Sequence, residues 1–428
     1  MKWIHTLWFW AFAISVSAQT IDLNYSKINY GQPTQYLTAR TLALGGAGIS
    51  GDDAAMGMLH NPALTVWTDS LFHFYAGMAL NQLQEDRSFP YYDNFGGFVD
   101  YGSYMFTSNR YYDFYGIIGS RLPFLRNFNL SISTGYVPFA DFNYDYLEEV
   151  RSASFGDALL AYNLFNSSGT LYSIPLNLGM TAYRGRIFEY DLSLSLGVGL
   201  DVVVGSLTQN WRIRVQNPSL EHLAYDIRVK RSLQNVPLRP GLGMQVKLGE
   251  RLHLAGSYRH GYEIKFTQDT ALTSLPLDRD QELSYPSQYN IGMSYRFQNI
   301  LAARLYLDWS YTNWADFKDN WNENLSFENT MSVRAGVEHI FFNQVPFRVG
   351  FNYNTLRESN NYSQAMLALG TGLYLAQIRL DVAAGISSLR YFQQDLYDNA
   401  LYGQISGTEA DRVKWNQFYG RIDLNYAF

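Results

Sequence analysis

Few side chains in this sequence are of a type and spacing that could support catalysis or hold a metal. The 428 residues include no cysteine, which removes disulfides, thiolate metal sites, a thiol nucleophile and a lipidated N-terminal cysteine. Beyond the N-terminal leader, the histidines are His60, His73, His222, His253, His260 and His339, and none stands at metal-ligand spacing from another. Gly45-Gly46-Ala47-Gly48 has the composition of a phosphate loop, but no Lys-Ser/Thr follows and no strand precedes it. A close-packed backbone turn is the simpler reading. Asp52-Asp53 would suit a divalent cation, and suits a helix-capping or solvated pair better. Asn61-Pro62-Ala63 occurs at the pores of water channels, which are helical; here it reads as a turn. No nucleophile, base and orienting group come together, so the chain is read as a non-enzyme without metal or cofactor. The net charge of −6 provides no basic footprint for nucleic acid.

The elements that carry these residues are strands. Residues 1–18, MKWIHTLWFWAFAISVSA, combine an early lysine, an apolar run and a small-residue ending, the pattern of a secretory signal peptide cleaved near Ala18. No later window is an apolar helix of spanning length. From Trp415 to Phe428 the chain alternates: Phe418, Gly420, Ile422, Leu424, Tyr426 and Phe428 on one face, Gln417, Tyr419, Arg421, Asp423 and Asn425 on the other. Period two describes a strand with one apolar and one polar side, and it recurs over 190–204, 301–313, 327–341 and 377–390. The polar faces carry Arg, Asp, Ser and Gly, while the apolar faces end in Trp, Tyr and Phe. That arrangement puts lipid outside and a polar lumen inside, with aromatics at the interfaces. It also gives a place to the 34 Tyr, 27 Phe and 9 Trp, more than a soluble chain needs.

About fourteen strands can be counted between residues 69 and 428, including a third at 128–140 and a seventh at 251–267. Short and long connections alternate, as in an all-β transmembrane antiparallel barrel with both ends periplasmic. Residues 19–68 differ. The stretch 38–65 is rich in Gly and Ala, lacks alternation, and is too apolar to lie loose, so it is expected to fold into the lumen as a plug. The inward faces carry Arg304, Asp308, Arg334, Glu338, Arg348, Arg379, Asp381, Arg421 and Asp423, suited to anchoring that plug or contacting a carboxylate. In the third strand, Gly135-Tyr136-Val137-Pro138-Phe139 interrupts the alternation. Proline removes a ladder donor, so Pro138 either ends the strand at the rim or breaks the wall.

Several stretches together resemble the FadL/TodX family of outer-membrane transporters of long-chain fatty acids and aromatic hydrocarbons. Leu44-Gly45-Gly46-Ala47-Gly48, Asp52-Asp53-Ala54 and Asn61-Pro62-Ala63 are similar to its hatch segment. Gly135 to Ala140 is similar to its Pro-Phe-Gly after strand three, with Ala140 where glycine is usual. Arg239-Pro240-Gly241-Leu242-Gly243, Tyr285-Pro286, Gly292 to Tyr295, Asp308 to Trp314, Val333 to Glu338 and Phe347 to Gly350 continue the likeness over most of the chain. The resemblance implies a fourteen-stranded barrel around a hatch, monomeric, inserted in the bacterial outer membrane by the barrel-assembly machinery. It implies a hydrophobic small-molecule ligand caught by extracellular loops, passed to a lumenal pocket, and released sideways at a strand-three kink. Gly45, Gly46, Gly48, Asp52, Asp53, Asn61 and Pro62 would then belong to the hatch, and Gly135, Pro138 and Phe139 to the lateral gate. The glycine-rich N-terminal block also occurs in related barrels that serve protein secretion or surface attachment, which makes a docking or shuttle component the alternative.

Overall fold

Strands built with one apolar and one polar face must hide their ladder edges, and closing the sheet on itself does so. In the computed structural model the chain does this with fourteen antiparallel strands. The described residues are 20–68, 72–93, 95, 97–122, 129–152, 158–270, 280–298, 303–341, 345–397, 399–402 and 410–427. The leader and the terminal Phe428 lie outside them. The barrel strands are β1 His73–Tyr92, β2 Phe98–Arg121, β3 Ser131–Asp141, β4 Thr170–Ile187, β5 Tyr190–Val204, β6 Leu238–Leu248 and β7 Leu252–Arg259. They continue with β8 Gln288–Arg296, β9 Arg304–Thr312, β10 Thr330–Phe341, β11 Val345–Thr355, β12 Ser363–Leu375, β13 Ile378–Gln393 and β14 Asp411–Ala427. Each pairs with its chain neighbour, and β14 pairs with β1 from His73↔Ala427 to Ser88↔Arg412, closing the circle. Outward side chains such as Phe114, Leu242, Ile291, Val333, Leu367 and Ile422 are exposed. They form the apolar belt that a bilayer requires. Among the described residues no helix is long and apolar enough to cross a membrane.

Two expectations need correction. The seventh strand does not run unbroken from 251 to 267: it stops at Arg259, and the chain resumes as a separate strand, Tyr262–Thr270. The long connections are not plain loops either. They contribute a second, seven-stranded antiparallel sheet that includes Tyr144–Arg151, Leu159–Ser168, Ser206–Val215, Tyr225–Leu233 and Gln281–Tyr285. Their alternation is masked by charges that lie on the solvent side, as at Glu149 and Arg228. Their inner faces bury Tyr144, Tyr146, Phe165 and Ile213 against Leu389, Tyr391, Val413 and Trp415 of the tall β13–β14 wall.

The N-terminal segment lies inside. Thr20 bridges to Phe392 near the upper end of β13, helix α1 (Leu23–Tyr30) packs beneath the second sheet, and the chain then descends. Short helix α2 (Ala39–Ala43) is opened by Thr38, whose hydroxyl accepts from the Thr41 amide, a capping box.

Candidate functional site

The descending segment follows the inner circumference of the barrel along a row of inward glycines. A Cβ at Gly385 would meet Leu42, at Gly370 Ala43, at Gly350 Leu44 and Gly45, at Gly292 Ile49, at Gly243 Asn61 and Ala63, at Gly197 Pro62 and Ala63, and at Gly179 Thr65. Gly45 and Gly46 take φ of +70° and +85°, the left-handed turn that only glycine adopts freely. Gly48 donates to Asp308 at 2.6 Å and Ile49 does so at 2.9 Å. Asn61 accepts from Ala63 at 3.1 Å and donates to the Ile49 carbonyl at 2.8 Å, and Pro62 opens a 3-10 turn through Trp67.

Asp52 and Asp53 are not a solvated pair but face arginines; among the described residues no group of three or more His, Asp or Glu side chains could hold a metal ion. Arg40 reaches Asp52 at 2.9 Å, Asp53 at 3.7 Å and Glu338 at 2.7 Å. Arg304 also pairs with Asp52. Arg348 joins Glu338 and Asp381 at 2.7 Å each, and Arg379 joins Asp381 and Asp53 at 2.7 Å each. Four arginines and four carboxylates thus close a neutral network between segment and wall, the condition under which buried charge is tolerable. Burial would raise both aspartate carboxyls, but the facing arginines outweigh it and hold both well below the usual carboxylate range. Asp423 accepts from the Ala39 amide at 2.5 Å and from Tyr115, and Arg421 donates to the Tyr36 carbonyl at 3.1 Å. Arg40, the hub, was not among the residues singled out from sequence. Its signal was being a cation in a Gly/Ala-rich stretch shortly before two acids.

Arg334 differs from the four arginines of that network. It is buried, donates to Ser310 at 3.0 Å, and enters no ion pair among the described residues; its Nε has no partner. It lines a partly open cavity of about 210 Å³ between the segment and the second sheet, with His60, Phe139, Arg239 and Trp314. Arg239 pairs at 2.7 Å with Asp201, a carboxylate that Arg259 shares at 3.4 Å, and lies over the Phe139 ring at 4.6 Å. Burial, followed by Arg334 and two further arginines, pushes the His60 imidazole down to about 3, so it is neutral at pH 7. Asp308, the direct cross-strand partner of Arg334, stands opposite without closing an ion pair, so an anionic group in the cavity would further offset the cost of burying this guanidinium.

The same cavity touches a break in the wall. β2 and β3 are paired only from Arg121↔Ser131 up to Gly116↔Tyr136. Beyond that point the freed edge of β3 takes Gln32↔Asp141 and Pro33↔Ala140 from the N-terminal segment, and Thr34 donates to the Phe139 carbonyl at 2.9 Å. On its other edge β3 bulges at Phe139. Pro138 is therefore inside the strand, not at its end. Gly135 is the last residue but one before the split; there a Cβ would meet the Gly116 carbonyl at 2.5 Å. Tyr136 and Tyr172 stack at 4.4 Å beside the split, and Asn109 closes the wall above by donating to the Asp145 carbonyl at 2.9 Å.

This closed fourteen-stranded barrel is a fold shared with solved transporter structures. A Pseudomonas aeruginosa FadL homologue superposes with a TM-score of 0.61 at 13% identity, over 93% of this chain and 100% of that one. The toluene transporters TodX of P. putida and TbuX of Ralstonia pickettii give 0.53 and 0.55 at 15% identity, over 92% of this chain and 99% of each. No family model and no curated protein sequence matches the chain.

Proposed function

We propose that the protein is an outer-membrane conduit for hydrophobic small molecules that carry an anionic head. Residues 69–428 form its wall, and residues 19–68 act as the plug. The carrying observation is the cavity that has an unpaired guanidinium on one side and, on the other, the strand edge that β2 has left. A ligand entering beneath the second sheet would place its charged end at Arg334 and its apolar body along Phe139, Leu59 and Trp314, which line the same space. Exit through the split spares an apolar solute the water at the periplasmic mouth. The geometry supports this route because Gln32–Thr34, which stitch the split, belong to the N-terminal segment and not to the barrel ladder. Gly135, Pro138 and Phe139 are then the lateral gate, and Asp52, Asp53, Arg304, Glu338, Arg348, Arg379 and Asp381 clamp the plug.

Mass spectrometry of molecules extracted from the purified protein tests the reading. Amphiphilic carboxylates should be recovered from the wild type and depleted from Arg334→Ala. Recovery of secretion subunits in place of small molecules would favour the docking alternative, and high conductance of the intact protein in a planar bilayer would make it an open porin.

A further inference from the structure

The outer wall changes character along β13 and β14. Their outward side chains are apolar up to Ile386 and Phe418, beside which Gln82 and Arg110 stand in register on β1 and β2. The next row, in register, is Ser388, Asn416, Gln84 and Ser108, with Ser388 donating to Asn416 at 2.8 Å. The row beyond carries Arg390 and Lys414 as direct cross-strand partners, and Arg412 follows on β14. Like charges face each other there with Cβ atoms about 5 Å apart, which is repulsive. None of the three cations forms an ion pair with a protein carboxylate among the described residues. Asp86, the cross-strand neighbour of Lys414, accepts instead from Ser103 at 2.5 Å. Arg412 is held over the Tyr101 ring at 5.1 Å. With Asp100 and Ser88 these residues line an outward-facing hollow of about 280 Å³. Lys414 lies four residues past Phe418, about 10 Å along the barrel axis at a strand tilt of about 40°. That is the depth of lipid head groups, not of hydrocarbon.

We propose that Arg390, Arg412 and Lys414 form a site for the phosphate groups of an anionic glycolipid in the outer leaflet, seated against the barrel's outer wall. Guanidinium forks match phosphate oxygens in pairs, and three cations on a chain of net charge −6 are placed where such phosphates stand. The proposal rests on the membrane reading above. Insertion of the protein into phosphatidylcholine vesicles tests that reading separately, since it needs no phosphorylated glycolipid.

The experiment measures binding of diphosphorylated lipid A to the full chain in detergent micelles. The comparison ligand is the same lipid stripped of its phosphates, and inorganic phosphate serves as competitor. Wild type should prefer the phosphorylated form about tenfold, and inorganic phosphate should not displace it. The triple variant Arg390→Ala, Arg412→Ala, Lys414→Ala should lose that preference, whereas Arg186→Ala, at the opposite rim, should keep it. Equal binding of the two lipids by wild type overturns the proposal however the variants fold. An unchanged triple variant overturns it too, and displacement by inorganic phosphate would reassign the site to a free anion.

Discussion

Gly350→Ala tests whether the N-terminal segment is seated by the inward glycines. A Cβ at this position would lie 2.0 Å from the Gly45 nitrogen and 2.1 Å from the Leu44 carbonyl carbon. Both are backbone atoms, and ordinary contact needs about 3.5 Å or more. The turn at Leu44–Gly45 must therefore retreat by about 1.5 Å, against Arg40 clamped to Glu338 on one side and Gly48 bound to Asp308 on the other. Overpacking costs about 1–3 kcal/mol where a side chain can yield, and here nothing flexible yields. At about 3 kcal/mol the seated state loses a factor of about 150 relative to the released one. Gly420→Ala is the control: its Cβ would meet Leu80 at 3.5 Å, on the outer face. The assays are single-channel conductance in planar bilayers and hydrogen exchange over residues 36–66. Gly350→Ala should show frequent openings and faster exchange, while Gly420→Ala should match wild type. A silent Gly350→Ala barrel with wild-type exchange would refute the seating argument.

Deleting residues 19–60 should leave a barrel that still assembles, with a large steady conductance; an unchanged conductance would remove the segment from the closure mechanism. Pro138→Val should let β3 pair further with β2 and reduce uptake of apolar ligands without loss of folding, and normal uptake would count against exit at this position. Acid should loosen the segment, with a definite sign. His60 is neutral when seated, with its pKa lowered to about 3, whereas a released imidazole takes a proton below about 6.5. Its contribution is thus complete above that pH and declines as pH falls from about 6.5 towards 3. The depressed Asp52 and Asp53 carboxyls add a second loss as pH falls below about 4 through their seated values. Hydrogen exchange of residues 36–66 against pH should show both limbs, and His60→Phe should lack the upper one.

The barrel was legible in the sequence because a strand that meets lipid on one side and a lumen on the other must alternate at every residue. The count of about fourteen strands between residues 69 and 428 agrees with the fourteen of the wall, and the Gly/Ala-rich segment before them stood apart. The second sheet was missed because Tyr144–Arg151 and Tyr225–Leu233 turn one face to water, and alternation among charged residues reads as loop. The inward charges were recognisable as a set, but their roles were not. Period two places Arg334, Arg348 and Arg379 on the same side of the wall without saying that Arg379 reaches Asp53 of the segment, that Arg348 pairs with Glu338 and Asp381 of the wall, and that Arg334 closes no ion pair among the described residues. That distinction depends on where Arg40, Asp52 and Asp53 arrive, and they come from a segment that has no period of its own. Pro138 marked a disturbance in strand three, yet local chemistry could not say whether the strand ended or the wall opened. The pairing shows that the strand runs on through Pro138. Backbone hydrogen bonds to β2 stop at Tyr136, and the freed edge is taken up by residues about a hundred positions away, a contact set by three-dimensional proximity that no local pattern encodes.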